Sequence, residues 1–528
     1  MSTLTGTWSL VRLALRRDRI RLPVWVLAIL ALVHASASAV QDLYATQADL
    51  DAYAAVLGAS PAAVALSGPA VAVDTIGGVT IFETSISALV LVALMAVFNV
   101  VRHTRAEEES GRTELVRATV VGRHAPVAAA LVVVSGASLL VGAGAAGSLL
   151  SQGLSASGSV VFGASVAALG LVMAAVTACA AQVTEHSRAA TGIAGAVLAA
   201  AFLVRAVGDV SGSGLSWASP IGWSQAVHPF GGDRWLPLLL SVSVAAGLTV
   251  LAMRLVDRRD VGAGFVTPRP GPAHAGARLS GPVGLAARLQ RGALAGWAFG
   301  VGVGGLALGS FTREIRNMVA DNPELAEVMG AAGAAEAENA FLALTTLIIA
   351  LLAGGFAVQS ALRLRSEETA GRVESLLATA LSRGRWALGS LLVTLAGTTA
   401  VTVAGGIGVG LAVAVTTDDG SQVLRLLAVT LTYLPAVLVL AALCVLLIGW
   451  LPRATALAWA VLGLCFVIGW LGNLLDFPRV VELASPFSHV PAAPTEAVEA
   501  APLVWLTAVA VGLVAVGLAG LRRRDLAA

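Results

Sequence analysis

Arg105-Ala106-Glu107-Glu108-Glu109-Ser110-Gly111-Arg112-Thr113-Glu114 returns 260 positions later as Arg365-Ser366-Glu367-Glu368-Thr369-Ala370-Gly371-Arg372-Val373-Glu374. Carried on to Arg123 and Arg383, the two stretches share nine identities in nineteen ungapped positions, which chance does not readily supply. Three further correspondences keep the same order. Leu13, Ala14, Arg16, Arg19, Leu22 and Trp25 match Leu285, Ala286, Arg288, Arg291, Leu294 and Trp297 at an offset of 272. Ala218-Ser219-Pro220 returns as Ala484-Ser485-Pro486, and Arg258-Arg259-Asp260 as Arg523-Arg524-Asp525. The chain therefore holds one pattern twice: a first half at 1–260, a second at 279–528, and between them a Pro/Gly/Ala linker at 261–278 that includes Pro268, Pro270 and Pro272.

The repeated charged stretch is set in a very apolar chain. Of 528 residues 57% are hydrophobic and 12% charged, against about 25% charged in soluble domains. A helix crossing the hydrocarbon layer needs about 20 mostly apolar residues. Such segments lie near 22–41, 80–101, 125–150, 158–183, 190–209 and 235–256, and again near 294–311, 339–361, 387–415, 423–450, 455–475 and 501–521. The pattern predicts an all-α integral membrane protein with twelve transmembrane helices as two parallel six-helix repeats. Six spans per repeat place both halves in the same orientation, unlike inverted-repeat transporters. Gly296, Gly300 and Gly304, four apart, suit close helix packing in lipid. The glycine-rich segment at 387–415 reads as a broken or strongly tilted helix.

All 33 basic residues are arginine. Without lysine the chain has no phosphate-binding P-loop of the form G-x-x-x-x-G-K-[ST], so any such ATP site lies in another chain. A net charge of +2 gives no footprint for nucleic acid. Cys179, Cys444 and Cys465 lie in apolar runs and offer neither a disulfide framework nor a zinc site. Five arginines between Trp8 and Arg21 precede the first span, as in a signal anchor. Placing the arginine-rich loops inside puts 27 of the 33 arginines on the cytoplasmic side and both termini there.

Arg12, Arg16 and Arg19 share one helical face with Leu10, Val11, Leu13 and Ala14 broadly opposite, which suits an interfacial helix leading into the first span; a basic tail without defined structure is the plainer alternative. The second copy, around Arg288, is weaker. The repeated loop, R-x-E-E-x-x-G-R-x-E, is longer than a tight turn needs. Gly111 and Gly371 permit a sharp change of direction before short helices such as Arg112–Thr119. Its mixed charge suits docking of a cytoplasmic partner; a salt-bridged loop that only fixes topology is the alternative. The acidic pairs Glu107/Glu108 and Glu367/Glu368 lack the histidine pattern of a metal or acid–base site.

Ionisable groups within spans are functional candidates by default. Arg205 and Asp209, four apart, either staple the outer end of the fifth span or line an exit, with Asp476 near the corresponding place in the second half. Glu83 lies at the outer start of the second span. Asn99 and Gln359, equivalent at offset 260, either line an entrance or hydrogen-bond across helices, and His34 reads as packed against a neighbour. Residues 42–73 and 312–338, with Asp42, Asp49, Asp51, Glu324, Glu327, Glu336 and Glu338, read as small outer caps.

With these features in place the chain resembles the permeases of type V ABC exporters, and within them the actinobacterial permeases for polyketide antibiotics. The residues that carry the closer match are Glu107-Glu108-Glu109-Ser110-Gly111-Arg112, Arg205-Ala206-Val207-Gly208-Asp209, Ser219-Pro220-Ile221-Gly222-Trp223, His228-Pro229-Phe230, Arg258-Arg259-Asp260 and Arg522-Arg523-Arg524-Asp525. The second half departs after Pro486, with Phe487-Ser488-His489 in place of Ile-Gly-Trp. The resemblance implies that Glu107–Thr119 and Glu367–Thr379, with Arg105, Glu108, Gly111, Arg112, Glu114, Arg365, Glu368, Gly371, Arg372 and Glu374, couple to an ABC ATP-binding subunit. It further implies two copies of that subunit per chain, ATP and magnesium bound there and none here, and outward movement of amphipathic or lipophilic compounds between spans two, five, eight and eleven.

Three rival classes remain in view. A proton-coupled facilitator also has six plus six spans, but its loop after the second span is usually short with a G-x-x-x-D-R-x-G-R pattern. A membrane enzyme acting on lipids needs an Asp, His or Lys cluster at a span end. A non-transporting scaffold that signals through an ATPase is separated poorly by sequence.

Overall fold

The computed structural model describes residues 3–56, 60–260, 262–266, 273–274, 276, 279, 281–313, 316, 334–475 and 479–524. It divides into two compact units, Met1–Gly271 and Pro272–Ala528. Both are helical, and among the described residues one isolated parallel bridge, Thr184 to Val266, is the only extended pairing.

The first unit begins with α1 (Thr7–Arg17), which buries Val11 and Ala14 and leaves Trp8 and Leu13 exposed. Asp18 ends α1, and the chain turns into α2 (Arg21–Leu43). Two short helices, α3 (Gln47–Val56) and α4 (Pro61–Ser67), lead to α5 (Ile76–His103). The charged repeat then forms α6 (Arg105–Glu109) and α7 (Arg112–Arg117). Four further long helices follow: α8 (Ala125–Ser151), α9 (Ala156–Val183), α10 (Ser187–Ser211) and, after the short α11 (Pro220–Gln225), α12 (Leu236–Asp257). Helix α9 is the inner one, with Phe162, Val166, Leu169 and Met173 at most 1% exposed. It meets α8 backbone to backbone, since a Cβ on Gly163 would lie 2.2 Å from the Gly142 carbonyl oxygen, the small-residue contact expected where lipid removes a hydrophobic drive between helices.

The second unit comprises α13 (Pro282–Ser310), α14 (Ala334–Thr369), α15 (Arg372–Leu377), α16 (Arg383–Thr417), α17 (Ser421–Thr432), α18 (Leu434–Trp450), α19 (Leu457–Leu475), α20 (Arg479–Glu482) and α21 (Ala500–Arg523). Among the described residues eleven helices are long and apolar enough to cross a membrane, with α17 and α18 counted together. The remaining expected span, the eleventh, near 455–475, corresponds to α19, whose apolar part Leu457–Gly469 falls short of that length.

Several details depart from the sequence expectations. The lead-in helix is separate only in the first unit. In the second it is continuous with its span over Pro282–Ser310. Among the residues that differ at the joint is Asp18, whose equivalent at offset 272 is Gln290; Asp18 is drawn onto Arg102 and His103, whereas Gln290 accepts a neutral bond from Ser360. The segment at 387–415 belongs to one unbroken helix of 35 residues. Its glycines are contact points, not breaks: a Cβ on Gly408 would lie 2.2 Å from the Gly302 carbonyl oxygen, and one on Gly405 2.3 Å from Ile349. The packed glycines of α13 are Gly302, Gly305 and Gly309; Gly296, Gly300 and Gly304, expected in that role, have nothing within 4 Å of a Cβ. The seam lies on the neighbouring helical face because each residue rotates the direction by about 100°. The segment at 423–450 is divided at Tyr433, where Pro435 in the first turn of α18 removes a backbone donor. Asp476, Glu324, Glu327, Asp525, Pro268, Pro270 and Pro272 lie outside the described residues.

Candidate functional site

The first charged elbow starts where α5 stops. The Thr104 hydroxyl donates to the Val100 carbonyl at 2.6 Å, and its backbone leaves the helical region with φ −120° and ψ −87°. Arg105 is 1% exposed. It pairs with Glu108 and donates from Nη2 to the Gly262 and Ala263 carbonyls at 3.2 and 2.9 Å. Glu108 also receives both guanidinium nitrogens of Arg259, Nη1 to Oε2 at 2.9 Å and Nη2 to Oε1 at 2.6 Å. Arg259 further donates from Nε to Gln182 Oε1 at 2.7 Å, and Arg123 donates to the Arg259 carbonyl at 2.7 Å. Glu107 turns the other way, to Arg17 at 2.8 Å and Arg112 at 3.5 Å. Its hydrogen bond holds the Arg17 guanidinium above its ordinary pKa. His186 lies 3.2 Å from Glu109.

The second elbow repeats the central part of this network. Arg524 Nη1 and Nη2 donate to Glu368 Oε1 and Oε2, each at 2.6 Å. Arg365 lies 3.1 Å from Glu368, and Arg383 donates to the Arg524 carbonyl at 2.8 Å. Thus Arg105, Glu108, Arg123 and Arg259 have the same relations as Arg365, Glu368, Arg383 and Arg524. Glu367 meets Arg372 at 2.6 Å and Arg363 at 3.3 Å, and the first of these raises the Arg372 pKa. Here α14 runs unbroken to Thr369.

In both units a glycine with positive φ, Gly111 at 71° and Gly371 at 68°, turns the chain into the second short helix. That conformation disfavours other L-residues. Each short helix buries one residue, Thr113 or Val373. It exposes Arg112, Glu114 and Leu115 in one case and Arg372, Glu374 and Ser375 in the other. The sequence candidates therefore separate into two sets. Arg105, Glu107, Glu108, Arg365, Glu367 and Glu368 bind within the fold, while Arg112, Glu114, Arg372 and Glu374 lie on the accessible face. Arg259 and Arg524 were visible as a repeated Arg-Arg-Asp motif, but their pairing with the acidic repeat needed the fold. Asp18 had no signal beyond being an acid in a basic stretch; it is fully buried, 3.0 Å from Arg102 and 2.5 Å from His103.

The remaining polar candidates are dispersed. Asn99 donates to the Met95 carbonyl of its own helix at 2.7 Å. It also lines a cavity of about 570 Å3 with Arg21, Trp25, Phe98, Arg102 and Thr191. Gln359 is exposed and accepts a 2.5 Å bond from Trp297, so the equivalent positions differ in surroundings. At the opposite end from the elbow, Arg205 is fully buried. It donates to the Val64 and Leu66 carbonyls at 3.1 and 3.2 Å and lies 3.5 Å from Asp209. The Asp209 carboxylate accepts from Ser216 at 2.5 Å. A guanidinium on the last carbonyls of α4 also meets the negative end of that helix. Glu83 accepts a hydrogen bond from Tyr53, whose pKa is raised by burial and by that carboxylate. His34 contacts Ser148 Oγ at 3.2 Å.

Helices of membrane-spanning length, with one charged elbow built into each unit, define a multi-pass α-helical membrane protein. The family model described as "Multidrug efflux system permease Rv1217c, C-terminal domain" matches residues 9–255 and 279–522. The chain is also 43% identical over 529 residues to the multidrug efflux system permease protein Rv1217c of Mycobacterium tuberculosis (strain ATCC 25618 / H37Rv), covering 99% of this chain and 96% of that protein. The chain belongs to this permease family.

Proposed function

We propose that the chain is the membrane-spanning part of an ATP-driven exporter in the cell membrane, with both termini cytoplasmic, that moves amphipathic or lipophilic drugs outward. ATP and magnesium belong to a separate ABC ATP-binding subunit, two copies of which dock on α7 and α15. The observation that carries this reading is the doubled elbow. Each half presents the same glycine-turned helix, with Arg112 and Glu114 or Arg372 and Glu374 on its accessible face. The name of the relative supports drug export, and the absence of lysine agrees with a motor in another chain.

A transport cycle follows from this arrangement. Closure of two ATP-bound subunits pulls both elbows, and the elbows move the spans to which they are fastened. Outward movement of the drug follows. Asn99 in the first unit and Gln359 in the second are the candidates for the inner end of the route, and Glu83, Arg205 and Asp209 for the outer end.

The test is to co-express the chain with its candidate ATP-binding subunit, reconstitute both in vesicles, and follow ATP-dependent drug movement. Glu114→Arg with Glu374→Arg should weaken subunit capture and reduce drug-stimulated hydrolysis by roughly tenfold or more, the effect of about 1.4 kcal/mol in binding. Export that follows a proton gradient and ignores ATP would establish a secondary transporter instead. Full complex formation with no drug movement would favour a scaffold.

A further inference from the structure

The two Arg–Glu clamps join parts of the chain that the elbow alone does not reach. Arg259 follows α12, the sixth span of the first unit, and Arg524 follows α21, the last helix of the second. Each delivers two charge-assisted hydrogen bonds to one carboxylate, a geometry that fixes orientation as well as distance. The carboxylate lies on the α5–α7 segment in one unit and near the end of α14 in the other. A third element joins through Arg123 before α8 and Arg383 at the start of α16, each bonded to the carbonyl of the clamping arginine. In the first unit Gln182 brings in the end of α9 as well.

The clamps are sheltered: Glu368 and Arg524 side chains are 2% and 16% exposed, and Glu108 and Arg259 12% and 7%. Sheltered ion pairs are poor sources of net stability, because desolvation offsets most of their attraction. Their occurrence at the same place in both units, with two arginines on one carboxylate and a third on the carbonyl of the clamping arginine, therefore calls for a role besides stability. We propose that Arg259 and Arg524 are positioning residues of the elbows: each fastens the final span of its unit to the coupling segment, so that elbow, third span and sixth span move as one body. Removing a clamp leaves the docking face on α7 or α15 intact but lets the elbow move without its span. This rests on the exporter reading above for its functional consequence, and on geometry alone for the mechanical one.

The experiment uses the full chain in lipid nanodiscs, and vesicles containing the chain with its ATP-binding subunit. Arg524→Met, Glu368→Gln and the double variant are compared with wild type, and Arg259→Met repeats the test in the first unit. Arg524→Met leaves Glu368 with Arg365 as its remaining partner, and Glu368→Gln leaves both arginines without their carboxylate, so both lower thermal stability; the double change recovers part of the loss of Glu368→Gln, since Arg365 alone then stays unpaired. Hydrogen exchange of the backbone across residues 365–377 should rise about tenfold in the double variant despite the recovered stability. Drug moved per ATP hydrolysed should fall about tenfold while hydrolysis continues. Arg524→Lys, which keeps the charge and loses the fork, should lie between. If the double variant regains both stability and wild-type exchange, the clamps are only structural and the proposal fails. The exchange result needs no ATPase. A wild-type chain that moves no drug with ATP would therefore overturn the exporter reading and leave the mechanical proposal to be decided separately.

Discussion

His103 Nε2 lies 2.5 Å from Asp18 Oδ2, and this contact joins the turn after α1 to the end of α5. Arg102 supports the same carboxylate at 3.0 Å. The equivalent residue of the second unit, Gln290, meets Ser360, which in turn contacts Thr394 at 2.7 Å.

The two positions should therefore respond differently to truncation. Asp18→Ala removes a buried carboxylate and leaves half-buried Arg102 and buried His103 without it, and should cost about 2–3 kcal/mol. Gln290→Ala breaks a neutral bond and should cost about 1 kcal/mol. Chemical unfolding of the detergent-solubilised chain measures both, and equal losses would contradict the assignment.

Gly111 and Gly371 face open space, so a side chain there meets a backbone penalty and no clash. Alanine at either position should cost about 1–2 kcal/mol, and asparagine less, since it tolerates the left-handed region. Thermal melts of the four variants test this order. A neutral alanine would mean that the turn at α7 or α15 relaxes.

The α13–α16 seam should be intolerant where backbones meet and tolerant elsewhere. Gly408→Ala places a Cβ 2.2 Å from a carbonyl oxygen that has no rotamer to yield, and overpacking of this kind costs about 1–3 kcal/mol. Gly300→Ala, with nothing within 4 Å, should be nearly neutral. Comparative folded yield and melting of the two variants distinguish them.

Arg205 ties α10 to α4 through two carbonyls. Arg205→Leu leaves those carbonyls and Asp209 without their cation and should destabilise by about 3 kcal/mol. Backbone exchange should increase in residues 61–67 before the rest of the unit. Uniform exchange across the unit would show that Arg205 is not a local brace.

Most of the architecture was legible in sequence because lipid imposes strong constraints. Apolar length marks a helix, and repeated identities reveal duplication without an alignment of other chains. Periodicity is less informative in helices apolar all round: α13 carries glycines on several faces, and the packed ones are Gly302, Gly305 and Gly309, not the evenly spaced Gly296, Gly300 and Gly304. Among the charged candidates, composition alone could not separate Glu108, which binds Arg259, from Glu114, which is exposed.

The sequence by itself determined a duplicated, helical, lysine-free membrane chain with a charged elbow in each half. Tertiary structure decided which of those charges remain accessible. The reason is distance along the chain: Glu108 and Arg259 are 151 residues apart, Glu368 and Arg524 are 156, and only packing of the intervening spans brings each pair within hydrogen-bonding range.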